Sequence, residues 1–174
     1  NKLGANNTKP VNDPGLGARS ADASYVTGGA TVAAIIGGYD NVNNALAGMI
    51  ASQHSMLYTG ADHASIWGGS LHTIANDTVY STIVGGTNNW IEARGRYSAI
   101  ISGDGCKIET GASDSESGFR SFIATSSSST AGGRNAVIIG SVSANIQATY
   151  GTVLAGESVT LTNGTHMLAV GSNI

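Results

Sequence analysis

The sequence predicts an all-β fold, a parallel β-solenoid or β-roll of short coils, on three observations. First, Tyr80–Ile91 is repeated in Tyr97–Ile108, with Tyr97 standing for Tyr80, Ile100 for Ile83 and Ile108 for Ile91. Second, an apolar pair followed by a small residue recurs along the chain at a step of about 14–17 residues, short for a repeat that forms a whole structural unit. Third, charged residues make up only 11% of the 174 residues while glycines number 25, which suits a rod packed through small side chains and regularly placed aliphatics.

The repeat anchors are Ile35, Met49, Ile66, Ile83, Ile100, Ile123, Ile138, Val153 and Met167. They are mostly β-branched and the runs are short, so each reads as a strand. The next residue is apolar too (Ile36, Ile50, Trp67, Val84, Ile101, Ala124, Ile139, Leu154, Leu168), and the one after it is small. Where that small residue is the first of a Gly-Gly pair, the chain is free to bend sharply with positive φ or to let another backbone approach. Most anchors are followed, eight positions on, by a second apolar residue: Leu57, Ile74, Ile91, Ile108, Ile146 and Leu161. One coil is therefore two short strands and two turns, stacked like on like.

Adjacent residues of a strand point to opposite faces. If Ile100 fills the inside of its coil, Ile101 points out, and so do Ile36, Trp67, Val84, Ile139 and Leu154. A coil this thin cannot bury both faces alone, and long exposed apolar stripes mark interfaces. The expected assembly is a homotrimer of side-by-side or intertwined chains, since parallel rods close by cyclic symmetry. The competing reading is a lone solenoid whose loops cover the second face.

In chain order, residues 1–31 read as a linker or neck, with Pro10, Pro14 and several glycines, and Tyr25-Val26-Thr27-Gly28-Gly29 as a degenerate first coil. Residues 32–174 are the repeat domain. The longest step, from Ile100 to Ile123, puts an insertion at Asp104–Arg120, and solenoid insertions gather on one face, often the binding face. The final repeat stops without a polar cap, so a further module is expected to follow or to have been removed.

Net charge −3 argues against nonspecific nucleic-acid binding, and no apolar run is long enough to span a membrane as a helix. One cysteine, Cys106, excludes an internal disulfide framework and fits assembly in a reducing cytoplasm. No nucleotide, hydrolase or metalloprotease motif is present. His54, His63 and His72 are evenly spaced but match neither the coil nor any ligand pattern, so neither metal nor cofactor is expected. The column three before each anchor (Val32, Leu46, His63, Tyr80, Tyr97, Arg120, Asn135, Tyr150) is a ladder of mostly polar and aromatic tips, which serves either recognition or wedging between chains. Tyr80, Tyr97 and Arg120 are candidate ligand-binding residues on that ground. Trp90, at an Asn-Asn corner, is a candidate for stacking on a sugar ring, with buried packing as its alternative. Asp114 and Glu116 of the insertion, with Asp104 and Glu109, are candidates for a paired carboxylate, against a reading as solvated loop charges.

The segments Ser81-Thr-Ile-Val-Gly-Gly-Thr-Asn-Asn-Trp-Ile91 and Ser98-Ala-Ile-Ile-Ser-Gly-Asp-Gly-Cys-Lys-Ile108 resemble repeats of bacteriophage tail fibres and tailspikes. They are also similar to the head repeats of trimeric autotransporter adhesins, which share a Ser-x-Ile-x-Gly core. The resemblance covers residue 32 to the end; the Gly-Gly and Asn-rich corner and the irregular step favour the phage side. It implies a trimeric rod in the virion tail, assembled in the host cytoplasm, that attaches to host surface polysaccharide or an outer-membrane protein. It also implies a C-terminal chaperone domain that cleaves itself off. The alternatives are a capsule depolymerase with acids in a groove between chains, and a bacterial trimeric adhesin head.

Overall fold

The computed structural model describes residues 25–26, 33–109, 119–147, 149–162 and 164–171. Among the described residues there is no helix. The chain runs through β1 (Tyr25–Val26), β2 (Ala34–Gly37), β3 (Val42–Asn43), β4 (Met49–Gln53), β5 (Met56–Leu57), β6 (Ser65–Ser70), β7 (Thr73–Ile74), β8 (Thr82–Thr87), β9 (Trp90–Ile91), β10 (Ala99–Asp104), β11 (Lys107–Ile108), β12 (Phe122–Ala124), β13 (Thr130–Ala131), β14 (Val137–Ile139), β15 (Asn145–Ile146), β16 (Gly151–Leu154), β17 (Thr160–Leu161) and β18 (Met167–Val170). Odd strands form one nine-stranded parallel sheet of two-residue strands, and even strands form a second, longer-stranded one. Each pair of strands is one coil, so the fold is the expected parallel β-solenoid.

The registers stack like on like. Ile50 pairs with Ile66, Ile66 with Ile83, Ile83 with Ile100, Ile100 with Ile123 and Ile123 with Ile138. From the opposite sheet Leu57, Ile74, Ile91, Ile108, Ala131 and Ile146 meet them, and every one of these side chains is fully buried. Each buried isoleucine contributes about 1.5–3 kcal/mol relative to exposure. Ile101 is 38% exposed while Ile100 is at 0%. The alternation inside and outside therefore holds where the paired isoleucines predict it.

Two anchors shift. Ile50, not Met49, occupies the core column: Ile35 pairs with Ile50, and Met49 is 38% exposed. Both residues are apolar, so composition cannot choose between them, and a register shift on each side of β4 accommodates the difference. A one-residue slip moves every side chain to the other face. In the last coil Val153 pairs with Ala169, and Met167 lies two residues earlier, partly buried on the same face. There the run Met167-Leu168-Ala169-Val170 is apolar throughout, and only pairing with β16 sets the phase.

The corners carry the strain. Gly68, Gly85 and Gly140 have positive φ immediately after the apolar pair, and so do Ser102, Thr125 and Ala155. A left-handed conformation costs a non-glycine residue about 1–2 kcal/mol. Because it recurs from coil to coil, it is a requirement of the fold rather than a mark of a functional site. The inner side of the next corner holds a buried column: Asn41, Ser55, His72, Asn89 and Cys106. Each of its first four side chains accepts the backbone N–H of the next. Ser55 N–H donates to Asn41 Oδ1 at 3.0 Å, His72 N–H to Ser55 Oγ at 3.1 Å, Asn89 N–H to His72 Nδ1 at 3.3 Å and Cys106 N–H to Asn89 Oδ1 at 3.0 Å. A second ladder links Ser98 N–H to Ser81 Oγ at 3.2 Å and Ser121 N–H to Ser98 Oγ at 2.9 Å. The first ladder satisfies backbone groups at the starts of the two-residue strands, and the second does so just before β10 and β12 of the longer-stranded sheet.

Asp104 ends β10 and Lys107–Ile108 forms β11, so the insertion in this coil is shorter than Asp104–Arg120. The extra residues fall between Glu109 and Phe119.

Candidate functional site: two outer faces and an aromatic edge

The outer faces of the two sheets differ in chemistry. On the long-strand sheet the outward positions are Ser65, Thr82, Ala99, Phe122, Val137 and Thr152 before the core residue, and Trp67, Val84, Ile101, Ala124, Ile139, Leu154 and Val170 after it. None is charged, and Trp67, Val84, Ile101, Ile139 and Leu154 are each more than a third exposed. The short-strand sheet turns out Val42, Met56, Thr73, Trp90, Lys107, Thr130, Asn145 and Thr160, with Glu92 and Glu109 alongside. That face mixes charge, amide and hydroxyl.

Along one edge of the long-strand sheet runs the aromatic ladder. His63, Tyr80, Tyr97, Arg120, Asn135 and Tyr150 all sit at a left-handed turn position. Each donates its backbone N–H to the coil before, as Tyr80 does to Asp62 O and Tyr97 to Val79 O, both at 3.0 Å. The strand spacing of about 4.8 Å then sets the rings one above another. His63 stacks on Tyr80 at 4.9 Å between centroids, Tyr80 on Tyr97 at 5.3 Å, and Phe119 meets Tyr97 edge-on at 5.5 Å. The Arg120 guanidinium lies 4.7 Å from the Phe119 ring, and Arg134 approaches the same ring at 5.6 Å. Tyr150 stacks on His166 at 4.9 Å. Ring faces in this ladder are turned on each other, so Tyr80 and Tyr97, each about half exposed, offer edges and hydroxyls outward rather than a flat platform.

Three of the candidate residues are thus brought together: Tyr80, Tyr97 and, through Phe119, Arg120. Trp90 is elsewhere, on the short-strand sheet, and is 46% exposed rather than buried. Asp114 and Glu116 lie outside the described residues. Glu109 is engaged by Lys107 Nζ at 3.0 Å, and the same ammonium is 2.6 Å from Glu92. The Glu92 hydrogen bond, chiefly, holds the Lys107 pKa above its ordinary value. Sequence reasoning missed Phe119, His166 and the Glu92–Lys107–Glu109 triad. His166 was hidden by the misplaced last anchor, since it lies three before Ala169. The triad was in principle visible, because Lys107 follows Trp90 by one coil.

The three evenly spaced histidines, His54, His63 and His72, fall in three different columns. His54 Nδ1 is 2.8 Å from Asp40 Oδ2 at a corner, and Tyr39 packs edge-on against its ring. His63 caps the aromatic ladder, and His72 is interior, where burial lowers its pKa to about 4 against a weaker opposing effect of the Gly68 backbone. Among the described residues no group of three His, Cys, Asp or Glu side chains is placed to hold a metal ion. Cys106 is buried, and burial raises its thiol pKa.

No protein-family model matches this chain, and comparison with curated proteins finds no match.

Proposed function

We propose that this chain is the structural and receptor-binding module of a phage tail fibre or tailspike, a homotrimeric rod that attaches to host surface glycan or protein. The observation that carries this reading is the largely apolar outer face of the long-strand sheet, uncharged at the positions on either side of the core column. Nine strands at ~4.8 Å, each offering some four residues at ~3.3 Å, make an area on the order of 600 Å². That approaches the ~800 Å² per partner of a standard protein interface. A second copy with the same rise meets such a face rung for rung, and cyclic closure of parallel rods places three chains around one axis. The tyrosine edge then lies at the rim, where its hydroxyls stay wet. Three copies of a weak site bind a repetitive cell surface far more tightly than one.

Sedimentation equilibrium tests the rod: a trimer is expected, and a soluble monomer at micromolar concentration removes the basis of the reading. Incubation with host polysaccharide tests the role. New reducing or unsaturated ends, lost in Asp114→Ala or Glu116→Ala, would replace attachment with depolymerase activity.

A further inference from the structure

We infer that the outer face of the short-strand sheet carries a saccharide site centred on Trp90, which takes a neutral hexopyranose unit through its apolar ring face and adjacent hydroxyls. The inference rests on the reading of the chain as an attachment module and names the ligand class and the surface.

Trp90 is nearly half exposed, and the neighbouring rungs of its column are polar, with the apolar Val42 and Met56 further along the face. Its ladder neighbours are Thr73 on one side and Lys107 on the other, so it belongs to no apolar docking patch. Lys107 Nζ stands 5.4 Å from the indole centroid and is held by Glu92 and Glu109. The ammonium over one side of the ring is thus pinned by two carboxylates, and the indole keeps nearly half of its surface exposed next to that ion-paired cluster. Carboxylate acceptors of this kind take hydroxyl donors with charge-assisted hydrogen bonds, and an indole face takes the C–H face of a pyranose. Preorganised acceptors reduce the ordering cost of binding.

The same geometry excludes other ligands. An aromatic ring beside two carboxylates would otherwise suit an organic cation, but Lys107 already supplies the cation there. The triad carries one net negative charge, and the chain carries −3, so acidic sugars are disfavoured.

The test is ¹⁹F NMR of the full chain labelled with 5-fluorotryptophan. The chain has two tryptophans, so Trp67, on the opposite sheet, is the internal control and Trp90→Phe assigns the signals. The probes are the methyl hexopyranosides of gluco, galacto, manno and N-acetylglucosamine configuration, with methyl glucuronide as the anionic comparison. The expected result is a saturable shift of the Trp90 resonance alone with at least one neutral glycoside, weakened about tenfold in Glu109→Gln and weaker for the glucuronide. A Trp90 resonance that stays still with every glycoside overturns the site, as does a shift unchanged in Glu109→Gln. Adhesion of the same chain to bacterial cells separates the two levels. Adhesion with a silent Trp90 refutes the saccharide site and leaves attachment standing. A responsive Trp90 with no adhesion to any cell does the reverse, and silence in both refutes both.

Discussion

At the scale of single residues, this fold is decided by what fits beside a left-handed corner. A Cβ on Gly69 would overlap the Gly86 carbonyl oxygen and His72 Nε2, and one on Gly86 would lie 2.9 Å from Asn89 Nδ2. Glycine therefore stands where the buried column carries a large polar side chain three residues on. In the core, Ile100→Ala leaves a void between two rungs that cannot collapse without their neighbours. It should destabilise by about 2–5 kcal/mol in chemical denaturation. His72 gives a pH signature. Its folded pKa is about 4 and its ordinary value is 6.5, so between those values the unfolded chain binds the extra proton. Stability should be greatest above pH 6.5, fall as pH drops through the window and level off below about 4. His72→Asn, which places the residue found at Asn41 and Asn89, should flatten the slope of melting temperature against pH.

At the scale of the coil, neighbouring positions are chosen as pairs. Gly156 stands over Val159, whose Cγ2 would collide with an added Cβ, whereas one coil earlier the equivalent pair is Ser141 with Ala144. Gly156→Ala alone should cost about 1–3 kcal/mol by overpacking. Combined with Val159→Ala it should cost less than the two single changes added, giving a favourable coupling of about 0.5–3 kcal/mol in a double-mutant cycle. The aromatic edge is built on the same principle. His63, Tyr80 and Tyr97 stack because successive coils present the same corner at one strand spacing, and each aromatic pair returns about 0.5–1.5 kcal/mol against the cost of left-handed backbone.

For the whole molecule, the contrast between the two outer faces governs behaviour. One is uncharged beside its core column, with Asp104 at the far end of β10, and the other mixes charge with hydroxyl and amide. Under the proposed assembly, Val84→Lys puts a charge at the centre of the buried face. Sedimentation should then show monomers, while circular dichroism keeps the β signature of each chain. Solenoid stability sums over coils and their interfaces. A dissociated chain should accordingly melt lower and less sharply than the wild-type assembly.

The repeat, the paired isoleucines and the inward column of the second sheet were legible from residue order, because period-two alternation in a short β-branched run leaves one face for Ile100 and the other for Ile101. Tyr80, Tyr97 and Arg120 were legible as one column for the same reason. Phase was not legible where several apolar residues adjoin: Met49-Ile50 and Met167–Val170 satisfy the pattern in more than one register. Only hydrogen bonding to the neighbouring coil selected Ile50 and Ala169, and with Ala169 brought His166 under Tyr150. Residue order alone determined that this chain stacks upon itself. Pairing between coils decided which side chains face water, because register is a property of two strands and no single strand contains it.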